Sequence, residues 1–191
     1  MKTTEPAKLK EMNFEQVFTQ ISPEEISDNV FTLLGKLVGD ATIITAGKDD
    51  QSNSMTGSMG GLGFFFKKPV TWCLFRADRY TLELIQKEQT YTLSYFPNEY
   101  KKQLLFLGSK SGRDSEKMKE VELTRVQTPS GDLSFKEARL IIECKLTVLT
   151  TIGPNDVCTR EAKDFVKEEY KEESHYRKMA FGEITRVWVQ K

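Results

Sequence analysis

The sequence contains six segments of β-strand type, and their spacing is the feature that most restricts the fold. Each segment is rich in β-branched, aromatic or other apolar residues. The segments span residues 41–46, 54–59, 70–75, 90–96, 138–151 and 181–189. Long helices do not alternate regularly with them, as they would in a doubly wound parallel sheet. The pattern therefore predicts a mainly antiparallel β-barrel with peripheral helices.

The predicted helices are short and lie between or before these strands. The most clearly marked one spans residues 22–37, because it opens with a Ser-Pro-Glu-Glu capping box and then repeats apolar residues on one face. Shorter helices are predicted at 80–88 and 99–107. The charged segment 161–173 predicts an exposed helix or a lid.

The chain of 191 residues is long enough for one domain with a full core. We expect residues 1–20 to be an N-terminal extension and residues 21–191 to form the domain. The 28 basic side chains equal the 28 acidic ones in number. Because no overall positive field results, nucleic acid is not expected as the main partner.

Membrane and targeting signals are not found in the sequence. No segment approaches the roughly 20 apolar residues of a membrane span, and the first residues lack the apolar stretch of a signal peptide. The three cysteines, Cys73, Cys144 and Cys158, form no CxxC pair, which favours a reducing compartment. We therefore expect a cytoplasmic protein without membrane contact. A single histidine argues against a metal site.

The stretch SMTGSMGG, residues 54–61, is unusual between two apolar strands. Its glycines would let a ligand approach the backbone closely, and its hydroxyls and methionines would contact a flat polar ligand. A glycine-rich hairpin with ordinary packing methionines is the alternative. These residues alone favour the hairpin.

Basic and hydroxyl side chains follow the third predicted strand. Arg76, Arg79, Tyr80 and Thr81 stand at the predicted start of the helix 80–88, where free backbone N–H groups favour an anion such as phosphate. A helix cap made by Thr81, with the arginines as surface charges, fits the same residues. The segment alone does not decide between the two interpretations.

A third segment, GSKSGRDSEKMKE at residues 108–120, again places small and basic residues before a helix, with Ser111 or Asp114 as its cap. By itself this pattern is common in solvated helices. The sequence has neither a GxxxxGK[ST] loop nor a GxGxxG fingerprint, which disfavours a P-loop or Rossmann enzyme.

Taken in order, these segments resemble the flavin reductase-like, FMN-binding split-barrel family, which includes the flavoredoxins. The similarity extends over roughly residues 24–190 and runs through NSMTGSMGGLG, KKPVTWCLFRADRYTLELIQKEQTYTLSYF, LGSKSGRDSEKMKE, EARLIIECKL and SHYRKMAFGEITRVWV. The resemblance implies a six-stranded antiparallel split barrel that dimerises and binds FMN noncovalently in a groove near the dimer interface.

The resemblance also implies which residues contact the cofactor. The stretch that would run beside the isoalloxazine ring is Ser54, Met55, Thr56, Gly57, Ser58 and Met59. The stretch that would hold the ribityl phosphate is Arg76, Arg79, Tyr80 and Thr81. The loop that would lie close to the cofactor is Ser111, Gly112, Arg113 and Asp114. No catalytic side chain is expected, because the chemistry would occur on the flavin.

Three further features bear on this comparison. Met59 stands where many relatives have tryptophan, so the packing of the ring would differ from theirs. Phe64, Phe65 and Phe66 would either wall the pocket or serve core and interface contacts, and the second use is typical of such runs. His175 matches a position where relatives often have histidine, and both a structural role and a role near the flavin are open.

The function indicated by the resemblance is that of an FMN-dependent oxidoreductase. It would be a flavin reductase supplied with hydride by NAD(P)H, or a flavoredoxin-type electron carrier supplied by a redox protein. A noncatalytic flavin-binding or sensor module on the same barrel is the alternative, and a structural β-domain without flavin affinity is a third. We expect a homodimer, because the apolar clusters GFFF and VWV exceed what one barrel interior requires.

Overall fold

The structure is a computed structural model in which residues 13–21, 42–113 and 115–191 are described. The helix predicted at 22–37 and the predicted site residue Asp114 lie outside the described residues. None of the described helices is both long enough and apolar enough to cross a membrane.

Strands make up most of the described structure. They are β1 (Phe18–Ile21), β2 (Thr42–Ala46), β3 (Asn53–Gly57), β4 (Gly60–Phe65), β5 (Lys68–Arg76), β6 (Thr90–Tyr95), β7 (Arg125–Gln127), β8 (Leu133–Phe135), β9 (Leu140–Ile152) and β10 (Arg177–Gln190). The described α-helices are α1 (Phe14–Val17), α2 (Tyr80–Glu88), α3 (Lys101–Ser109), α4 (Lys117–Glu120) and α5 (Arg160–Glu169).

Eight of these strands form one antiparallel sheet. Seven follow the order β3-β2-β6-β9-β10-β5-β4, and β1 pairs with the last residues of β10. The two longest strands, β9 and β10, pair along most of their length, with irregularities between Phe181 and Gly182 and between Ile184 and Arg186. Such bulges bend a strand and increase its twist. The remaining strands, β7 and β8, form a separate hairpin.

The two edge strands of the seven-strand path are neighbours in sequence. Strand β3 ends at Gly57 and β4 begins at Gly60, so the chain between them spans at most about 11 Å. A sheet whose opposite edges lie this close together must curl into a barrel. In the described sheet β3 and β4 do not pair with each other, so the barrel is open along this seam. The architecture is the predicted antiparallel split barrel, with eight strands in its sheet instead of six.

One buried apolar cluster fills the barrel interior. The cluster contains side chains from β2, β5, β6, β9 and β10. Leu82, Leu84 and Ile85 of α2 pack against them. Helix α2 ends at Glu88, and its C-cap Gln89 adopts the left-handed conformation with φ of 61° and donates its N–H to the Ile85 carbonyl at 2.8 Å. This left-handed residue ends the helix.

A second buried cluster lies on the outer face of β2, β6 and β9, where α1, β1, α3 and the β7–β8 hairpin cover the sheet. Strand alternation separates the two clusters: Ile43 belongs to the outer one and Ile44 to the interior. Phe14 packs edge-on against Trp188, with ring centroids 4.8 Å apart. The described residues before β2 are thus packed on the same domain as β10.

The glycine-rich stretch differs from the predicted single strand at 54–59. Strand β3 ends at Gly57, and β4 begins at Gly60 on the opposite edge of the barrel. Ser58 and Met59 form the corner between them, and residue type alone does not distinguish such a corner from a continuing strand. The short strands β1, β7 and β8 were not predicted, because a strand of three or four residues is too short to show a periodic pattern in the sequence.

The predicted helices in the described part of the chain are present. Helix α2 matches the prediction at 80–88, and α3 begins two residues after the predicted start at 99 because a 3-10 turn precedes it. The charged segment 161–173 contains most of α5, whose N-cap Thr159 accepts a hydrogen bond from the Ala162 N–H. Of the residues in α5, only Val166 is buried, so this helix is exposed along most of its length.

Candidate functional site

A cleft of about 290 Å³ lies where strand β3, the start of α2 and the segment after α3 meet. Three separate parts of the chain supply its walls, because β3 is an edge strand and α2 and α3 pack beside it. The lining residues are Asn53, Met55, Thr56, Asp78, Arg79, Tyr80, Thr81, Leu107, Gly108, Lys110, Ser111, Gly112, Arg113 and Lys117.

Eight of the predicted site residues line this one cleft. They come from all three predicted stretches and are Met55, Thr56, Arg79, Tyr80, Thr81, Ser111, Gly112 and Arg113. The predicted residues that do not line it are Ser54, Gly57, Ser58, Met59 and Arg76. The structure thus brings together segments that are more than 50 residues apart in sequence.

Ser54 and Gly57 pack against the neighbouring strand β2 and do not line the cleft. Ser54 is fully buried, and its hydroxyl shares a hydrogen bond of 2.7 Å with the Thr45 hydroxyl on β2. A side chain at Gly57 would meet the Ile44 side chain, with its Cβ 2.6 Å from Cδ1. Both positions therefore face neighbouring parts of the fold.

The other predicted residues outside the cleft are exposed. Ser58 and Met59 lie at the corner between β3 and β4, and Met59 is 50% exposed. Arg76 forms an ion pair of 3.1 Å with Asp78 at the end of β5. Met59 therefore remains accessible to a ligand or a partner, whereas the Arg76 guanidinium is already paired.

The start of α2 is held against β3 by a buried hydrogen bond. Thr81 accepts from the Asn53 side-chain Nδ2 at 2.7 Å, so its hydroxyl contacts the strand and does not cap the helix. Arg79 occupies the N-cap position without a side-chain capping bond. The first N–H groups of any α-helix have no acceptor within the helix, so this terminus is a favourable place for an anion.

Asn53 is a cleft residue that the sequence analysis missed. It is only 3% exposed, and its Oδ1 has no hydrogen-bond partner among the described residues. An unpaired buried oxygen is costly unless a ligand or water donates to it. The available signal was its position two residues before Met55, on the same face of β3.

Lys117 is the second missed residue, and it is only 2% exposed. Its Nζ donates to the carbonyl oxygens of Leu107 and Lys110, each at 2.9 Å. Burial lowers the pKa of Lys117 to about 8, and the nearby positive charge of Arg79 contributes to the same shift. The charged residues around this lysine are typical of a solvated helix, and residue type does not reveal its burial.

Arg113 lines the cleft, but its guanidinium is already engaged. It donates to the Asp78 carbonyl at 2.7 Å, pairs with the Glu83 carboxylate, and lies 5.4 Å from the centre of the Tyr80 ring. These contacts fasten the loop after α3 to the start of α2. Arg113 therefore shapes the cleft wall.

Arg79 differs from Arg113 in having no partner in the part of the chain that the structure describes. Among the described residues, no hydrogen bond or ion pair engages its guanidinium. Among the described ionisable residues that line the cleft, Arg79, Lys110, Arg113 and Lys117 are cations and Asp78 is an acid. Lys110 and Arg113 are paired with Glu120 and Glu83 outside the lining, so Arg79 and Lys117 are the described cations that favour an anionic ligand.

Thr56 joins the floor of the cleft to α3. Its hydroxyl donates to the Leu104 carbonyl, and a Cβ at Gly108 would lie 2.7 Å from that same hydroxyl oxygen. Helix α3 therefore approaches β3 closely at Gly108. This contact sets the width of the cleft between the strand and the loop that follows α3.

The phenylalanine run and His175 do not line the cleft. Phe64 and Phe66 project from the β4–β5 hairpin and are 74% and 68% exposed, respectively. His175 lies in a short 3-10 turn before β10 and is partly exposed. Neither contributes to the cationic cleft within one chain, so a role for His175 near a flavin stays a prediction.

Comparison with known proteins gives a consistent result. A model of the flavin reductase-like domain family matches residues 34–185. An FMN-binding protein from Thermus thermophilus superposes with a TM-score of 0.61 at 17% identity, covering 79% of this chain and 71% of that one. An FMN-binding domain of a flavin reductases-like enzyme from Shewanella baltica gives 0.63 at 14% identity, covering 90% and 76%.

Flavoredoxin of Desulfovibrio vulgaris is similar in structure to this chain, to about the same degree as these two proteins. Its TM-score is 0.58 at 21% identity, and the match covers 78% of this chain and 68% of that one. At these identities the likeness concerns the fold, and it confirms the predicted split barrel. No curated protein sequence gave a significant match to the chain.

Proposed function

Because the chain belongs to the family of flavin reductase-like domains, we propose that it binds FMN in the cationic cleft beside β3 and uses it in electron transfer. The observation that carries this proposal is a pair of cations, Arg79 and the buried Lys117, that line the cleft and have no carboxylate partner among residues 13–21, 42–113 and 115–191. A phosphate group at the end of a flavin is the anion that such a cleft accommodates.

The residues present fit this cofactor in chemical type. Arg79, Lys117 and the N-terminus of α2 would hold the phosphate. The unpaired Oδ1 of Asn53 accepts hydrogen bonds, and the ribityl chain carries hydroxyl donors. Met55 lines the same cleft and would provide soft apolar surface for the ring.

Strand β3 supports the proposal in a second way. It pairs with β2 along one side and has no strand partner on the other side in the described sheet. In an antiparallel edge strand, about half of the N–H groups point away from the paired strand. Such donors next to the cleft would stabilise negative charge on a reduced flavin ring.

When bound, FMN would supply the hydride and single-electron chemistry. The chain itself would bind and orient it. No described side chain in the cleft needs to act as acid, base or nucleophile for this purpose. The electron donor in this proposal is NAD(P)H or a redox protein.

We further propose that the protein functions as a homodimer. Strand β4 is an edge strand, and its hairpin exposes Phe64 and Phe66. The hairpin turn at Phe66 and Lys67 has positive φ at both residues, 51° and 60°, a conformation that favours glycine or asparagine. Exposed aromatic rings on a conformationally restricted edge suit contact with a second copy of the chain.

One experiment tests the proposed function. The flavin-free protein is titrated with FMN, and the complex is then titrated with NADH or NADPH under anaerobic conditions while the flavin absorbance is followed. The proposal predicts FMN binding and loss of the oxidised-flavin band with a reduced nicotinamide or with a reduced redox protein. A chain that binds no FMN contradicts the proposal. FMN binding without reduction by any donor would indicate a noncatalytic flavin-binding module.

A further inference from the structure

Helix α5 lies on the surface of the barrel and has few packing contacts. In the described structure Val166 is its single buried residue, and Phe165 is 57% exposed. The Phe165 ring meets Tyr170 edge-on, with ring centroids 6.3 Å apart. A helix of ten residues is marginally stable in water without tertiary packing. A partner that covers Phe165 would therefore stabilise both the ring and the helix.

The charged residues of α5 are sorted by sign around this ring. Three exposed carboxylates lie three or four residues from Phe165, so they are its neighbours on the helix surface. They are Glu161, Glu168 and Glu169. Lys163 and Lys167 lie two residues from Phe165 on either side and therefore point away from it. The helix thus has one face, called here the acidic face, that combines Phe165 with these three glutamates.

Neighbouring cations do not neutralise the acidic face. In the part of the chain that the structure describes, no ion pair engages Glu161, Glu168 or Glu169. The ion pair within α5 joins Arg160 to Asp164, at 3.9 Å. The three carboxylates are therefore available to a positively charged surface.

Helix α5 is connected to the rim of the cleft by a series of contacts. The Tyr170 hydroxyl, directly after α5, accepts a hydrogen bond of 3.0 Å from Nε of Arg177, the first residue of β10. Arg177 stands opposite Arg76 in the pairing of β10 with β5. Arg76 in turn pairs with Asp78, which lines the cleft. A molecule docked on α5 would therefore lie at the same end of the barrel as the cleft.

We propose that the acidic face of α5 is the docking surface for a small electron-transfer protein with a basic patch. This inference rests on the proposed function, because the partner would exchange electrons with a flavin held in the cleft. An apolar contact surrounded by charged groups is the usual arrangement of a protein interface. Here Phe165 would be the central contact, and the three glutamates would form the rim.

The charge and the size of the acidic face identify its occupant. A ten-residue helix is about 15 Å long, which suits the small interfaces of redox encounters, below about 1,200 Å². Unpaired carboxylates attract a basic partner and speed its association, and they repel an acidic one. A second copy of the chain related by a twofold axis would place the same carboxylates opposite each other, which disfavours this face as a self-contact.

The test uses ferricytochrome c, a small basic haem protein, as the probe. The FMN-loaded parent is compared with Phe165→Ser, Glu168→Lys and the control Glu99→Lys. Glu99 is exposed in the 3-10 turn before α3 and does not line the cleft, so its reversal changes the net charge equally. Calorimetry gives the dissociation constant for the probe at about 20 mM and about 200 mM salt, a range over which screening of surface charges increases strongly.

The proposal predicts that Phe165→Ser and Glu168→Lys each weaken binding of the probe about fivefold or more at low salt. Glu99→Lys should keep the parental affinity within about twofold, and FMN affinity should be parental in all variants. High salt should weaken the parent and reduce its difference from Glu168→Lys. Equal affinity for the probe in Glu168→Lys and Glu99→Lys overturns the proposal.

A kinetic readout accompanies the binding measurement. The flavin is reduced chemically, and its oxidation by ferricytochrome c is followed by stopped flow, with one electron to each haem and two haems reduced per flavin. The rate at low salt should fall in Phe165→Ser and Glu168→Lys and stay parental in Glu99→Lys. Since the salt dependence is measured on the parent, a parent whose affinity for the probe does not fall with salt overturns the proposal even where a variant does not fold.

Two further outcomes separate this proposal from the alternatives. A parent that binds no FMN contradicts the proposed function, and with it electron exchange at α5. A parent that binds FMN, with all variants reacting equally with the probe, contradicts only the docking surface. Sedimentation of Phe165→Ser and Glu168→Lys should match the parent, and a change of oligomeric state would show that a second copy covers the acidic face, which also overturns the proposal.

Discussion

Gly112 lies against Asn53, and a Cβ atom at position 112 would be 2.1 Å from Oδ1 of that asparagine. Asn53 has no room to withdraw, because it is buried and its Nδ2 donates to the Thr81 hydroxyl at 2.7 Å. The loop after α3 therefore touches β3 and α2 together only while residue 112 lacks a side chain. This contact defines one wall of the cleft.

We predict that Gly112→Ala weakens FMN binding by more than about tenfold, because the added methyl group displaces the loop that carries Ser111 and Arg113. The measurement is the dissociation constant for FMN, with the melting temperature recorded beside it. Gly63→Ala is the matched control, since a Cβ at Gly63 would meet nothing within 4 Å. Equal FMN affinity in the two alanine variants would show that the loop does not bound the ligand.

Arg79→Ala should weaken FMN much more than riboflavin, because a charge-assisted contact to phosphate is missing in the dephosphorylated ligand. The expected loss for FMN is about 1.5 to 3 kcal/mol, as for a hydrogen bond to a charged group. Arg160→Ala serves as the control, since Arg160 lies on α5, pairs with Asp164 and does not line the cleft. Equal losses for FMN and riboflavin would exclude Arg79 as a phosphate ligand.

The sequence predicted β2, β3, β5, β6, β9, β10 and α2 because their residues have β or helical periodicity, and it missed the six-residue strand β4, whose glycines are typical of a turn. It did not predict the corner at Ser58 and Met59, where the chain passes from one barrel edge to the other. That step depends on the closure of the whole sheet, and no local pattern of residue types encodes it. The predicted ring-side stretch is accordingly split, with Met55 in the cleft and Met59 exposed at the corner.

Part of the candidate site was also predictable from the sequence. Arg79 and Thr81 were found because basic and hydroxyl residues at a helix start are typical of anion sites. Asn53 and Lys117 were missed because a polar residue in a sequence is normally exposed, and their burial arises only when α2, α3 and β3 pack together. Among the described residues, Asn53 Oδ1 has no hydrogen-bond partner, and the Lys117 ammonium bonds only to two backbone carbonyls.

The homodimer is tested at the β4–β5 hairpin. We expect the parent to sediment at twice its chain mass of about 22 kDa. Phe64→Asp should weaken the dimer by about 2 kcal/mol or more, because it places a charge where the proposed dimer would bury the exposed Phe64 ring. Phe165→Asp is the control, because Phe165 is similarly exposed on α5. A monomeric parent with FMN bound at micromolar concentration would contradict the homodimer.

The barrel interior offers a test of the fold itself. A Cβ at Gly182 on β10 would lie 2.2 Å from the hydroxyl oxygen of Tyr91, which is buried and shares a hydrogen bond of 2.9 Å with Thr71. We predict that Gly182→Ala lowers the free energy of unfolding by about 1 to 3 kcal/mol through overpacking. Denaturant unfolding measures this change.

A second substitution separates overpacking from other effects of alanine on β10. Tyr91→Phe removes the hydroxyl that the new methyl group would strike. The combined variant should therefore be more stable than the sum of the two single changes predicts, with a coupling energy of about 0.5 to 3 kcal/mol. Strict additivity would show that β10 and β6 do not approach each other at this point.

The central claim is that FMN occupies the cleft between β3, α2 and the loop after α3, with its phosphate between Arg79 and Lys117. A crystal structure of the protein grown with FMN tests this most directly. The account predicts density for the phosphate within hydrogen-bond distance of both the Lys117 Nζ and the Arg79 guanidinium. Flavin density elsewhere on the chain, with this cleft empty of the phosphate, would contradict it.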